Sequence, residues 1–194
     1  MREIIILLGV VIIFSGCGNN FDLDQNVTGK RLKLFNQDSV EVKYPDVIKD
    51  KVVVIGFIYT HCPDICPMAT HNIQLAEEKL SKDELKGVKF LLVSFDPERD
   101  SPSILKKYAF VRDMNMNDWE LLTGSIENID PLLNEFNVKA IHDDTTYNDK
   151  GEPDYFIIHT DRISLVDENG NLRKNYRGSI ANPDEIANDI KKLL

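Results

Sequence analysis

The sequence contains little cysteine and no excess of positive charge. Only three of its 194 residues are cysteines, at positions 17, 62 and 66. So few cysteines exclude a small scaffold held together by disulfides, and a chain of this length buries roughly 70% of its unfolded surface without such cross-links. The net charge of −9 argues against a nucleic-acid partner, because nucleic acids bind basic surfaces. The cysteines are therefore available for chemistry.

The sequence also lacks an apolar run long enough to cross a membrane. Residues 4–14 are apolar, but a membrane-spanning helix needs about 20 such residues. One preceding cation, this run and the small residues after it form the pattern of a secretory signal peptide. Residues 14–17, Phe-Ser-Gly-Cys, resemble the lipobox of bacterial lipoproteins, in which the cysteine is lipidated and becomes the mature N-terminus.

These features predict how the chain is organised and where it resides. We predict a signal peptide over residues 1–16, a lipidated Cys17 followed by a flexible tether over 17–29, and a single folded domain over 30–194. The lipid would attach the protein to the cell membrane, facing the periplasm or extracytoplasmic space. A plain signal peptide and an uncleaved anchor are the alternatives.

The rest of the chain alternates buried strands with helices. Continuous apolar, β-branched runs at 52–59 and 88–95 predict strands buried on both faces, and a serine followed by Pro102 predicts a helix start. The other predicted elements are a hairpin at 31–46, helices at 66–80, 101–114, 125–138 and 182–194, and strands at 119–124, 154–160 and 163–178. This order predicts an α/β fold with a central mixed sheet, helices on both faces and an N-terminal β-hairpin.

Cys62 and Cys66 lie in the loop between the strand 52–59 and the next helix, which indicates a thioredoxin-like fold. Three residues separate the cysteines, whereas the usual redox motif has two. Residues four apart on a helix have Cβ atoms about 5–6 Å apart, whereas a disulfide needs Cβ atoms about 3.8 Å apart. Metal–thiolate bonds are about 2.3 Å long, so one metal ion can join two sulfurs up to roughly 4.6 Å apart. The spacing favours a metal bridging the two sulfurs over an unstrained disulfide, although both remain open. The nearby helix N-terminus favours the thiolate form.

Four histidines could supply a third ligand. The side chain of His61 is expected to point away from its neighbour Cys62, and His71 lies off the helix face that carries Cys66. We expect the acidic stretch around His142 to form a mobile loop. His159 ends an apolar strand, where a loop could meet the cysteine loop. The residues alone leave this choice open.

Several motifs resemble one family when taken in order: YTHCPDICP at 59–67, DPERDSP at 96–102, WELLTG at 119–124, and a lone histidine ahead of ISLVDENG. The chain resembles, from about residue 30 onward, the Sco family (SenC/PrrC), thioredoxin-like copper proteins of cytochrome c oxidase assembly. The resemblance implies one copper ion per chain, bound by Cys62, Cys66 and His159. Two thiolates and an imidazole are a soft donor set that suits copper, whereas zinc prefers four ligands in structural sites.

The resemblance also implies partners. The first is the cytochrome c oxidase subunit that carries the binuclear copper centre, to which copper would be delivered or whose cysteines would be reduced. Other copper chaperones or thiol reductants are further possible partners. A metallochaperone is not an enzyme in the strict sense, whereas thiol–disulfide exchange would be enzymatic.

Two carboxylates are candidates for positions near the metal without binding it. Asp96 follows the strand 88–95, at the strand end where ligands gather in open α/β sheets. Its segment could equally form a turn that caps the next helix, with Arg99 and Asp100 paired. Asp64, between the cysteines, could tune the site or contact a partner.

Other functions could use some of the same residues. A thiol–disulfide oxidoreductase would use Cys62 and Cys66 as its redox pair, with copper incidental. A thiol peroxidase would need one activated cysteine with Thr60 close by, but it leaves the second Cys-Pro and His159 unexplained. A sensor of copper or of redox state would use the same residues as the chaperone. An inert structural disulfide would close too short a loop to restrict the unfolded chain much.

Overall fold

The computed structural model describes residues 21–147, 151 and 153–194. The predicted signal peptide and the predicted lipidation site, Cys17, lie outside the described residues. Within the described ranges, no helix combines the length and the apolar character that crossing a bilayer requires.

The strands are numbered in chain order. They are β1 (Gln25–Asn26), β2 (Leu32–Asn36), β3 (Glu41–Tyr44), β4 (Val52–Ile58), β5 (Val88–Ser94), β6 (Trp119–Gly124), β7 (Ala140–His142), β8 (Thr146–Tyr147), β9 (Pro153–Asp154), β10 (Ile157–His159), β11 (Ile163–Val166) and β12 (Asn171–Tyr176). Eight of them form one mixed sheet in the order β1-β12-β11-β4-β5-β6-β2-β3, and two short ribbons pair β7 with β10 and β8 with β9.

In the described part of the chain, five α-helices and two short 3₁₀ turns lie between or after the strands. The helices are α1 (Ile65–Glu77), α2 (Lys82–Leu85), α3 (Pro102–Val111), α4 (Ile126–Glu135) and α5 (Pro183–Leu193), and the 3₁₀ turns are Asp46–Ile48 and Gly178–Ile180. Their starts follow local sequence rules. Ser81 opens α2 with a capping box, and both α3 and α5 begin at a proline, which has no N–H to leave unsatisfied.

The helices cover both faces of the sheet, as the sequence predicts. The hydroxyls of Thr70 and Tyr108 lie 2.9 Å apart and join α1 to α3, and α5 packs beside α1. Successive strand residues point to opposite faces. Gly56 of β4 lies under α1, while the next residue, Phe57, packs its ring 5.3 Å from that of Phe136, which follows α4. Helices α1, α3 and α5 therefore lie on one face and α4 on the other.

The parallel strands at the centre of the sheet determine where the functional residues lie. β4 pairs with β5 and β5 pairs with β6, all in parallel, and every residue of β4 is buried. Because parallel strands end at the same edge, the loop after Ile58 and the loop after Ser94 are neighbours. This edge, which we call the C-terminal edge, carries the cysteines and Asp96.

Several sequence predictions hold, and others are wrong. The hairpin is confirmed as β2 and β3. The tether predicted over residues 17–29 is wrong from residue 21 onward, because Gln25–Asn26 form β1 against β12 and Val27 is fully buried. Ordered structure therefore begins before residue 30.

The region before His159 also differs from the prediction. The single strand predicted at 154–160 is two short strands, β9 and β10, which pair with different partners outside the main sheet. The acidic stretch is not wholly a loop, since His142 lies in β7 opposite Ile157. The residues between β9 and β10 turn inward at Tyr155, which is buried, and this inward turn interrupts the strand.

Candidate metal centre

The two cysteines lie at the start of α1, immediately after the C-terminal edge of β4. A turn in which Cys62 N donates to Tyr59 O (3.2 Å) ends the strand. The backbone N–H of Cys66, in the first turn of α1, donates to the sulfur of Cys62 at 3.4 Å. The first N–H groups of a helix have no partner within the helix, and Asp64, at the N-cap, makes no side-chain capping bond. The sulfur of Cys62 therefore takes the part of the capping acceptor.

His159 reaches the cysteines from the end of β10. Its ring lies 4.6 Å from that of Phe95 and edge-on to Tyr59 at 5.8 Å. Its Nδ1 is 3.1 Å from the carbonyl oxygen of Thr160. Because a carbonyl can only accept, Nδ1 carries the proton and the lone pair of Nε2 is available to a metal. This Nε2 lies 3.5 Å from the sulfur of Cys66.

Together these residues form a compact donor set. The sulfurs of Cys62 and Cys66 and a ring nitrogen of His159 lie within 4.8 Å of one another. Metal–sulfur bonds of about 2.3 Å reach sulfurs up to about 4.6 Å apart, so a small side-chain adjustment closes the cluster around one ion. It is the one cluster of this kind among the residues that the structure describes. The cysteines are free thiols, and their softness favours copper.

The structure does not bring the other histidines into this cluster. His61 is exposed, and its Nδ1 lies 3.3 Å from the hydroxyl of Thr60. His71 is exposed on α1. His142 stacks on the ring of Tyr155 at 4.8 Å. His159 is thus the histidine whose position fits the two sulfurs.

The two thiols differ in acidity. A hydrogen bond from Cys66 lowers the pKa of the Cys62 thiol; burial opposes this, while His159 and the backbone N–H groups of Cys66 and Asp64 add to it. The same sulfur–sulfur hydrogen bond raises the pKa of the Cys66 thiol, and burial and the negative charge of Cys62 raise it further. Cys62 is 8% exposed and Cys66 1%. Cys62 is therefore the thiolate that an approaching group meets first.

Asp96 acts on the site through other residues and does not belong to the donor cluster. It is fully buried. Its Oδ1 accepts a hydrogen bond from the hydroxyl of Tyr155 at 2.7 Å, and its Oδ2 accepts one from Arg99 Nε at 2.6 Å. Arg99 also donates to the carbonyl of Tyr155 at 3.0 Å and stacks over its ring at 3.5 Å. Asp96 and Arg99 therefore hold the chain four residues before His159.

The expected pairing of Arg99 with Asp100 is wrong. Asp100 is fully buried and accepts hydrogen bonds from the backbone N–H and the hydroxyl of Thr60 and from the hydroxyl of Ser94. Burial raises the pKa of Asp100 against the lowering effect of these bonds. Asp100 thus fixes the chain two residues before Cys62.

Sequence reasoning did not identify Tyr155, Thr60 or Asp100 as supports of the site, and it expected Asp64 to tune the site or to contact a partner. The side chain of Asp64 is exposed, and its contribution to Cys62 is made by its backbone N–H. The one signal in the sequence was the density of carboxylates in DPERD, which does not reveal their partners.

Comparison with known proteins agrees with this arrangement. Residues 22–194 match the SCO1/SenC family. Copper-bound ScoI of Bradyrhizobium japonicum is 30% identical and superposes with a TM-score of 0.70, covering 86% of this chain and 99% of that one. A SCO1/SenC family lipoprotein of Bacillus anthracis str. Ames is 31% identical, with a TM-score of 0.65 and coverage of 88% and 95%.

A third solved structure links the fold to a process. BsSco, a member of the Sco family of cytochrome c oxidase assembly proteins in which a disulfide switch was identified, is 30% identical. Its TM-score is 0.67, with coverage of 89% of this chain and 95% of that one. Since the family match covers nearly the whole described chain and the similar structures share its fold, the chain belongs to the SCO1/SenC family.

Proposed function

We propose that the protein binds one copper ion through Cys62, Cys66 and His159 and serves in the assembly of cytochrome c oxidase as a copper chaperone. The single observation that carries the proposal is the convergence of two thiol sulfurs and an imidazole nitrogen within 4.8 Å. Copper in its lower oxidation state accepts soft thiolate and imidazole donors. The copper-bound relative and the oxidase-assembly relative support the same function.

The site has features that suit transfer of the ion. Three donors leave the ion open to a further ligand, and Cys62 is the more accessible sulfur. His159 ends a short ribbon outside the main sheet, and Tyr155 and Ile157 just before it belong to the core. A partner's sulfur can therefore add to the ion before Cys62 or His159 leaves, and copper stays coordinated throughout.

Location at a membrane is part of the same proposal. On this proposal, a lipidated Cys17 keeps the chaperone at the membrane surface that faces the periplasm or extracytoplasmic space, where it would deliver copper. The similarity to a lipoprotein supports lipidation. Mass spectrometry of the mature N-terminus tests it, and an unmodified Met1 would refute it.

Copper titration of paired histidine variants tests the copper site. His159→Ala should lose at least about 100-fold in copper affinity, because removing a ligand costs more than removing one of its supports. The exposed residue His71 provides the control, and His71→Ala should bind as the unaltered protein does. Equal affinities for the two variants would remove His159 from the site.

The difference in thiol acidity provides the nucleophile for a second candidate function, thiol–disulfide exchange. The Cys62 thiolate would attack a partner disulfide, forming a mixed disulfide and releasing one partner thiolate. Cys66 would then lose its proton and attack the Cys62 sulfur, releasing the second partner thiolate. The partner gains two electrons, and Cys62 and Cys66 become a disulfide.

The same histidine variant separates the two functions. Thiol exchange requires both cysteines but not an imidazole ligand, so His159→Ala should retain any insulin-reducing activity while losing copper.

In cells that lack the protein, restoration of oxidase activity by added copper would support delivery, and failure of added copper would support reduction.

A further inference from the structure

The ribbon of β7 and β10, which carries the histidine of the metal centre, has one open edge. The N–H of Asp143 donates to the carbonyl oxygen of Phe156, directly opposite it, at 2.9 Å. Opposed residues of an antiparallel pair alternate between hydrogen-bonded and non-hydrogen-bonded pairs. The N–H and C=O groups of Ala140 and His142 therefore point away from β10. Among the described residues, these four groups have no hydrogen-bond partner.

The other edge of the ribbon is covered by the core. On β10, the N–H of Ile157 points away from β7 and donates to the hydroxyl of Tyr59 at 3.5 Å, and Ile157 is 4% exposed. On β7, by contrast, Ile141 and His142 are exposed. A strand edge with unpaired backbone groups is a template for pairing with a further extended segment. The ribbon therefore offers such a template on the side of β7 alone.

A groove separates the open edge of β7 from α4. Two cavities of about 280 and 240 Å³ meet there, and both are lined by Ala140 and by Asp130 of α4. Asn134 and Ile126 continue the wall that α4 provides. The second cavity also reaches Phe95, whose ring lies 4.6 Å from that of the metal-binding histidine. The groove thus follows the strand edge and leads toward the metal centre.

The charges in the groove indicate what could occupy it. Glu98 and Asp130 line it and are exposed, and neither forms an ion pair within the part of the chain that the structure describes. Lys139 is the cation that lines the groove, and the exposed carboxylates of Asp143 and Asp144 follow β7 directly. The excess of negative charge favours an occupant that carries a lysine or an arginine.

The outer face of the ribbon adds an apolar requirement. Ile141 and Ile158 lie directly opposite each other and are 59% and 66% exposed, and Phe156, two residues before Ile158, is 58% exposed. A strand added beside β7 would place alternate side chains on this face and the intervening ones on the face of His142, toward Glu98. The segment that fits both faces therefore alternates apolar and basic residues.

We propose that the copper acceptor docks on β7: an extended segment of the acceptor, with alternating apolar and basic residues, adds to the open edge as a third strand and forms backbone hydrogen bonds with Ala140 and His142. The inference rests on the proposed chaperone function and adds the surface and the kind of segment that it binds. Neighbouring strands lie about 4.8 Å apart, so the added strand lies roughly 10 Å from β10. An acceptor held there has its sulfurs within reach of the ion at His159.

Amide hydrogen exchange of the full-length chain, followed by NMR, tests the surface. The probe is the soluble domain of the oxidase subunit that carries the binuclear copper centre, with both proteins reduced and copper-free. Exchange at Ala140 and His142 should slow at least about tenfold when the domain is added, because new hydrogen bonds protect their N–H groups. Lys43 is the matched control, since its N–H points away from β2 on β3, at the end of the main sheet, and its exchange should not change.

A pair of charge reversals tests the same surface during copper transfer. Asp130→Lys reverses a charge in the groove, and Glu78→Lys reverses another exposed charge at the end of α1, on the opposite face of the sheet. Both variants should bind copper as the unaltered protein does. At low salt, Asp130→Lys should slow transfer to the acceptor domain at least about tenfold and Glu78→Lys less than about twofold. Metal analysis of the separated proteins measures the rate.

The outcomes separate the docking surface from the proposed function. Equal transfer rates for the two variants, or unprotected β7 amides in a mixture that transfers copper, would overturn docking on β7 and leave the chaperone function intact. Protected β7 amides without copper transfer by the unaltered protein would support the surface and overturn the chaperone function. The absence of both would overturn both. Protection that rises with the concentration of the chain alone would assign the edge to a second copy of the chain instead.

Discussion

Replacing Asp96 by asparagine should destabilise the fold far more than a matched surface change. The ion pair of Asp96 Oδ2 with Arg99 Nε measures 2.6 Å, with side chains 0% and 11% exposed. Asparagine would leave the Arg99 charge buried without a counter-charge, which costs about 3–5 kcal/mol. No other group compensates the Arg99 charge in place of Asp96, because the Nη2 of Arg99 is already buried without a hydrogen-bond partner among the described residues.

The control is Asp38→Asn. Asp38 pairs with Lys106 at 2.7 Å, almost the same distance, but the side chains are 47% and 66% exposed, and surface pairs contribute only about 0–1 kcal/mol. Urea unfolding of the metal-free proteins, followed by the fluorescence of Trp119, gives both free energies. A loss below about 1 kcal/mol for Asp96→Asn, or equal losses in the two variants, would refute the argument from burial.

The same variant distinguishes a support from a ligand. Because Asp96 reaches His159 only through Arg99 and Tyr155, Asp96→Asn should weaken copper binding about 10–100-fold, as removal of a ligand's support typically does. One ion per chain should still bind, with an unchanged copper–thiolate absorption. A changed absorption spectrum would place Asp96 among the ligands.

Two further predictions follow from the loop and its surroundings. The lowered pKa of Cys62 keeps its thiolate populated as the pH falls. Its rate of alkylation by iodoacetamide should therefore change little from pH 8 to pH 6. Cys66→Ala removes the hydrogen bond that lowers this pKa, so in that variant the alkylation rate of Cys62 should decrease steeply as the pH falls. A Cβ added at Gly178 would lie 2.9 Å from the Cβ of Ala69 in α1, so Gly178→Ala should lower the unfolding free energy by about 1–3 kcal/mol. Gly29→Ala is the control: a Cβ added at Gly29 meets no atom within 4 Å, so the urea midpoint should stay unchanged.

The parts of the fold that sequence reasoning predicted are those that local chemistry determines. The short, β-branched apolar run of β4 favours a buried strand, and a serine followed by Pro102 favours a helix start, so the elements around the cysteines were predictable. The pairing of β10 with β7 was not, because three-residue strands carry too few side chains to show a period. Tyr155 interrupts an apolar run that reads locally as one strand, and its partners, Asp96 and Arg99, precede it by 59 and 56 residues.

The candidate site, like the fold, was predictable from the sequence only in part. The spacing of Cys62 and Cys66 indicated a shared helix turn, and the structure places both sulfurs at the start of α1. The choice of His159 came from the family resemblance, since the residues themselves left four histidines open. The supports, Asp100 at Thr60 and Arg99 at Tyr155, depend on which loops meet at the C-terminal edge, and that is a property of the assembled sheet.

The position of Cys62 also bears on which proposed function the protein performs best. Its sulfur accepts the N–H of Cys66 at the start of α1, where a thiolate is stabilised by the helix and a neutral disulfide sulfur is a poor acceptor. Whatever stabilises the reduced pair makes the corresponding disulfide a stronger oxidant and the dithiol a weaker reductant. A copper ion held by Cys62 and Cys66 would keep the sulfurs anionic, whereas reducing a partner would turn them into a neutral disulfide. The geometry that makes Cys62 reactive therefore weighs against net reduction of a partner and in favour of holding a soft metal ion.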